Sequence, residues 1–132
     1  MARGGFYAVD SLNGVHVLLV SADPGTRDVI AAVLAYCGAL VTPVTSATDA
    51  IEVLRRITAD LVIAETRWPG GDGVVLVREI QSRKPEDGGV IPVVALTPRS
   101  AALGTAGFDA VLAMPVDPWA LCRLVAGLVT RS

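Results

Sequence analysis

Cysteine is scarce in this 132-residue sequence: there are two, Cys37 and Cys122, far apart and with no CxxC pair. Such spacing offers neither a metal-binding nor a redox motif, and isolated thiols of this kind read as small core residues. Histidine occurs once, as His16, with no Ser/Asp or Cys pattern around it, and reads as a structural strand residue. Long apolar runs are missing as well, although 52% of the residues are hydrophobic. The longest are short pieces such as Val17-Leu18-Leu19-Val20 and the stretch from Val90 to Leu96, against the roughly 20 residues a membrane helix needs. Met1 to Tyr7 carries one basic residue and no apolar segment like that of a signal peptide. The expectation is a cytoplasmic protein with no membrane contact. Basic clusters are absent too, none exceeding Arg55-Arg56, and the net charge is −2. Nucleic acid, which demands a positive footprint, is therefore not an expected partner.

What is present is a rhythm. Five short segments rich in Val, Leu or Ile recur: Val15–Val20, Leu40–Val44, Leu61–Glu65, Ile91–Leu96 and Ala110–Met114. Their apolar residues run on with little alternation, as strands of a parallel sheet do when both faces are covered. Between them lie helical stripes. After Asp23-Pro24, a cap followed by a first-turn proline, come Val29, Ile30, Val33, Leu34 and Cys37 at spacings of three and four, and Gly38 stands where that helix would stop. A second helix opens at Ser46 and buries Ala47, Ala50, Ile51, Leu54 and Ile57, leaving Glu52, Arg55 and Arg56 in water. A third follows Asp72-Gly73 with Leu76, Val77 and Ile80 inward. The last starts at Asp117-Pro118 and shows Leu121, Leu124, Val125, Leu128 and Val129. Alternating strands and helices predict an open α/β sheet with helices on both faces. Only Pro98 to Ala106 separate the fourth strand from the approach to the fifth, room for at most about two helical turns.

Open parallel sheets bind ligands at the carboxyl ends of their strands. The residues there are Ser21, Ala22 and Asp23, then Glu65 to Gly70, Thr97 and Met114. Val17–Val20 followed by Ser-Ala-Asp-Pro, Asp60–Glu65 followed by Thr-Arg-Trp-Pro-Gly, Ile91–Thr97, and Ala106–Ala110 running into Met114-Pro115-Val116-Asp117-Pro118 together resemble the receiver domain of bacterial response regulators. The resemblance covers about residues 14–130, with residues 1–13 as an amino-terminal arm; Gly4-Gly5 and Asn13-Gly14 suggest that this arm is flexible. It implies a single-domain, flavodoxin-like, doubly wound five-stranded parallel sheet of order 2-1-3-4-5, here with a shortened fourth helix.

The resemblance also implies a phosphorylation pocket. In that family an aspartate ending the third strand takes the phosphoryl group, an acidic pair after the first strand holds Mg²⁺, a lysine before a proline after the fifth strand pairs with the phosphoryl group, and a Ser/Thr after the fourth strand senses it. In this sequence those places hold Glu65, Ser21-Ala22, Met114 before Pro115, and Thr97. Thr97, Pro69-Gly70 and Met114-Pro115 keep the pattern, the last being a place where the family has a cis bond. Mg²⁺ is hard and calls for carboxylate oxygens around the phosphate. Ser21 and Ala22 supply none and Asp23 is committed as a cap, so no cofactor is expected. Glu65 has two open readings: a partial mimic of the phosphorylated aspartate that draws Thr97 toward it, or a solvated carboxylate. Arg67 either pairs with Glu65 or Asp23 or stays a solvated loop arginine.

These departures point to a degenerate receiver, a pseudo-receiver, that works by phosphorylation-independent binding to a signalling protein such as a histidine kinase or a separate output protein, with no catalysis of its own. The chain ends at Ser132, so we expect its effect to pass through another protein. Trp68 and Trp119, after the third strand and at the start of the last helix, fall on one edge of the sheet and form a candidate interaction surface. The alternative is a receiver still phosphorylated at Glu65 or at a hydroxyl such as Ser21, Thr66 or Thr97. A small-ligand flavodoxin-like domain ranks last, because Ser21–Thr26 makes a poor anion nest. Oligomeric state is left open by the sequence. Finally, both cysteine-bearing helices descend from the site edge, Cys37 about 13 residues in and Cys122 about 4, an axial offset of ~13 Å at 1.5 Å per residue. The two thiols are therefore expected beyond the ~7 Å Cα limit for a disulfide.

Overall fold

The computed structural model describes residues 12–65, 72–82, 91–97 and 108–129. Its five strands are β1 (His16–Val20), β2 (Leu40–Val44), β3 (Leu61–Glu65), β4 (Val93–Thr97) and β5 (Ala110–Ala113). All pair in parallel, in the order β2-β1-β3-β4-β5. Four helices lie among the described residues: α1 (Pro24–Tyr36), α2 (Ala47–Leu54), α3 (Asp72–Gln81) and α4 (Pro118–Val129). The expected doubly wound, flavodoxin-like sheet is thus the observed one. The shortened helix expected within Pro98–Ala106 lies outside the described residues, as do Arg67 and Trp68.

Local chemistry starts both amino-terminal helices and stops the first where the sequence said it would, whereas α2 ends at Leu54 and leaves Ile57, expected inside it, half-buried beyond its end. The Asp23 carboxylate accepts the Thr26 N–H at 2.8 Å and Pro24 opens α1, satisfying a donor that the helix itself cannot. Ser46 caps α2 in the same way through the Asp49 N–H. Beyond α1, Gly38 has a φ of 103°, a left-handed conformation that glycine adopts at no steric cost. A side chain there would also run into Asn13.

Alternate residues of the central strands feed two cores. Val17, Leu19, Leu61, Ile63, Val94 and Leu96 face the layer that holds α1 and α4, with Leu34, Leu121 and Val125. Leu18, Val20, Val62 and Ala64 face the opposite layer, with Ala50, Leu54, Leu76 and Ile80. Continuous apolar strands thus serve both sides of the sheet. The edges depart from that expectation: Leu40 in β2 is 66% exposed, and β5 is nowhere fully buried. An edge strand has a neighbour on one side alone, and Pro43, which lacks an N–H, is tolerated there. The α1 stripe is likewise narrower than expected, because Val29 is 61% exposed. Leu12, assigned to the amino-terminal arm by sequence, is fully buried and donates its N–H to Cys37 O. The folded unit therefore takes in Leu12 and Asn13; the arm before Leu12 lies outside the described residues.

The ~13 Å axial offset expected between the cysteines is overturned. Cys122 Sγ lies 4.0 Å from Val33 O, the same carbonyl that accepts the Cys37 N–H at 3.2 Å, and both cysteines line one pocket. The axial arithmetic assumed helices that start level. In the fold, the start of α4 packs beside the last turn of α1. Both thiols are free and buried. Burial pushes the Cys122 thiol up from 9.0 to about 12, and the hydrogen bond and charge of Cys37 add to the rise. A raised folded-state pKa means that the native state holds the proton longer than the unfolded chain does. Its stabilising contribution is complete below the unfolded value and is lost as pH climbs from about 9 toward about 12. Urea titrations across that window should show stability falling more steeply for the natural sequence than for Cys122→Ser; parallel slopes would refute it.

Candidate functional site

The carboxyl ends of β1, β3, β4 and β5 bring four of the sequence-selected positions to one edge: Ser21, Glu65, Thr97 and Met114. Ser21 and Thr97 are buried, at 1% and 2% exposure, and Glu65 is half-buried at the end of β3. The Ser21 hydroxyl donates to Glu65 Oε1 at 2.5 Å, a charge-assisted bond of the short kind. Ser21 Oγ also lies 3.2 Å from Asp23 O and accepts the Asp23 N–H at 3.2 Å. Serine is thus the hub that joins the loop after β1 to the end of β3. Ala22, exposed, has no side-chain oxygen to offer.

Asp23 is turned away to its cap, as expected from sequence. Among the described residues no group of three His, Cys, Asp or Glu side chains is placed to hold a metal ion. Among the described residues, the donor set around Ser21 amounts to one carboxylate bonded by a hydroxyl and one carboxylate capping a helix. It does not fit a divalent cation that calls for several oxygen ligands and gives up its waters reluctantly.

At the β5 end, Met114 donates its N–H to Thr97 O at 2.8 Å, and the Met114–Pro115 bond is cis, as the family resemblance implied. The Met114 side chain is half-buried and packs against the core on the α1 and α4 side. An unbranched thioether fills an irregular gap well and brings no positive charge to the pocket.

One member of the site was missed. Arg27 Nη1 donates to Ser21 O at 2.9 Å, from the first turn of α1. The signal existed in the sequence: helical side chains lean back toward the amino terminus, so a long residue four positions after a cap reaches the loop before it. Arg27 thereby holds the Ser21 backbone while Glu65 holds its side chain. Trp119, 45% exposed at the start of α4, lines an apolar groove with Tyr36 of α1. His16 belongs to the scaffold: its Nε2 lies 2.7 Å from Thr42 Oγ1 and ties β1 to the edge strand β2.

A family model described as the response regulator receiver domain matches residues 17–126. Among curated proteins, an uncharacterized 14.6 kDa protein from the sodA1 3' region of Leptolyngbya boryana is 35% identical over 123 residues, which cover 89% of this chain and 92% of that protein. The transcriptional regulatory protein GlrR of Escherichia coli K12 is 33% identical over 122 residues, 89% of this chain but 27% of GlrR. The chain therefore spans about a quarter of that regulator's length. Among solved structures, the receiver domain of the sensor histidine kinase PA1611 from Pseudomonas aeruginosa PAO1, crystallised with magnesium coordinated in its active site cleft, is 30% identical with a TM-score of 0.78, over 89% of this chain and 98% of that one. The chemotaxis response regulator CheY4 of Vibrio cholerae, 18% identical with a TM-score of 0.74 over 86% of this chain and 98% of its own, shares the fold.

Proposed function

Because this chain belongs to the response regulator receiver domain family of two-component signalling, we propose that it is a pseudo-receiver, signalling by protein contact without phosphorylation or a resident Mg²⁺. The observation that carries this reading is the Ser21–Glu65 hydrogen bond. It occupies the place where the family's pocket has a nucleophilic aspartate facing an acidic pair, and it satisfies the Glu65 carboxylate with a neutral hydroxyl.

Phosphoryl transfer needs positioning and neutralisation of charge on the peripheral oxygens. Glu65 carries one methylene more than aspartate, and displacement of a reacting atom by ~1 Å costs on the order of 10²-fold. Neutralisation fails twice over: the metal's ligands are replaced by Ser21 and Ala22, and the lysine by Met114, whose side chain supports the core. What survives is the scaffold, with Arg27 and Glu65 bracing Ser21 in one arrangement. A loop braced in this way suits a fixed binding surface, and the partner is a kinase or an output protein of the same signalling class. The protein would lie in the cytoplasm and act without enzymatic turnover.

Incubation with acetyl phosphate and millimolar Mg²⁺ tests the proposal. Intact mass is expected to stay unchanged, and amide NMR signals of Ser21, Glu65 and Thr97 to stay in place on addition of Mg²⁺ and beryllofluoride. One added phosphoryl group, or saturable shifts at those residues, would overturn it.

A further inference from the structure

The only two cysteines of the chain, remote in sequence, meet in the fold. Cys37 closes α1 and Cys122 lies near the start of α4, each at 1% exposure. Their closeness follows from backbone geometry as well as from the thiol contact: Val33 O lies 4.0 Å from Cys122 Sγ and 3.2 Å from Cys37 N. They also line the apolar cavity of about 370 Å³ between α1 and α4 whose rim carries Tyr36 and Trp119.

We propose that Cys37 and Cys122 form a hydroperoxide-oxidisable pair that closes to an intramolecular disulfide and ties the end of α1 to the start of α4. The apolar cavity gives a small hydroperoxide a path to two sulfurs that are closed to bulk contact. Cys37 is the attacking sulfur, reacting in the thiolate form that any attacking thiol must adopt: it takes the distal oxygen of the peroxide, the O–O bond breaks, and water leaves after protonation of the departing oxygen. The Cys122 sulfur then attacks the Cys37 sulfenic acid; the S–S bond forms, the S–O bond breaks, and a second water leaves with the Cys122 proton. Both thiols together lose two electrons and two protons, and one peroxide is reduced to two waters. The order follows from the contact, because the thiol held protonated by burial is Cys122, and the thiolate is the nucleophilic form. The second step is local, since both cysteines line one cavity beside Val33 O.

The link changes a surface. Tyr36, 64% exposed, and Trp119 stand on the two helices that the bond would join, so oxidation fixes their relative position. The inference is independent of the phosphorylation pocket, which lies at the strand ends.

The test uses the full reduced chain, exposed to a small molar excess of hydrogen peroxide, then denatured and treated with N-ethylmaleimide. The expected product is monomeric, lacks two hydrogens, takes up no maleimide, and yields a linked peptide containing Cys37 and Cys122. Dithiothreitol restores two reactive thiols, and neither Cys37→Ser nor Cys122→Ser gives the monomeric cross-link. In the oxidised protein, amide shifts are expected at Val33–Ala39 and Trp119–Arg123, with Ser21 and Glu65 unmoved. Three results would each overturn the proposal: oxygen adducts on single cysteines, disulfide-linked dimers, or two thiols still reactive after a treatment that fully oxidises free N-acetylcysteine. The wild-type chain carries the decisive readout, so a variant that folds poorly does not cloud the result.

Discussion

Replacing four residues, Ser21→Asp, Ala22→Asp, Glu65→Asp and Met114→Lys, is expected to yield a chain that binds Mg²⁺ and is modified by acetyl phosphate, where the parent is expected to do neither. Each change restores one physical requirement. Aspartates at 21 and 22 provide the hard oxygen ligands that a divalent cation needs. Aspartate at 65 withdraws the nucleophilic oxygens by one methylene, which matters when ~1 Å costs about 10²-fold in rate. Lysine at 114 returns a cation to the phosphoryl oxygens. Without metal the variant should be less stable than its parent, because Ser21 is buried at 1% exposure and an aspartate there faces the carboxylate at 65 across the present 2.5 Å contact.

Added Mg²⁺ then gives a stabilisation that grows with concentration, about 2.7 kcal/mol at a hundredfold excess over Kd. The parent's melting temperature should not move. Mass spectrometry after acetyl phosphate treatment and a melting series in Mg²⁺ read the two effects separately. A folded variant that gains neither would mean that the pocket is disabled by something other than these four positions. A parent chain that is itself labelled would remove the pseudo-receiver reading.

Truncating Ile63 to alanine is expected to lower the unfolding free energy by about 3 kcal/mol. Ile63 lies in the middle of β3, in register with Leu19 of β1 and Val94 of β4, and all three are fully buried on the α1 and α4 side. Its neighbours are held by the ladders of a central strand, so they cannot collapse into the space left behind, and a cavity term adds to the lost transfer energy. For a domain with a total stability of roughly 5–15 kcal/mol, that is a large fraction. Leu40→Ala in the edge strand is the matched control: the side chain is 66% exposed, and its loss should stay within about 0.5 kcal/mol. Urea denaturation of the two variants checks the pair. A loss at Ile63 below about 1 kcal/mol would contradict the packing described above.

The sequence by itself determined the elements and their order of use. Val, Leu and Ile runs marked the strands, Asp23 and Ser46 marked helix starts, and Gly38 marked a helix end, because caps, turn conformations and periodicity are read out within a few residues. The strand-end positions followed from the same pattern, which placed Ser21, Glu65, Thr97 and Met114 on one edge before any coordinates. Only the tertiary structure decided which side chains meet there. That the Ser21 hydroxyl goes to Glu65, that Arg27 holds the Ser21 carbonyl, and that Met114 leans into the core depend on distances between elements. The cysteines make the point most sharply: counting residues along two helices separated them, whereas packing set the start of α4 beside the end of α1. Local sequence encodes the rise along a helix, but the offset between two helices is set by how their side chains and the preceding segment pack on a twisted sheet.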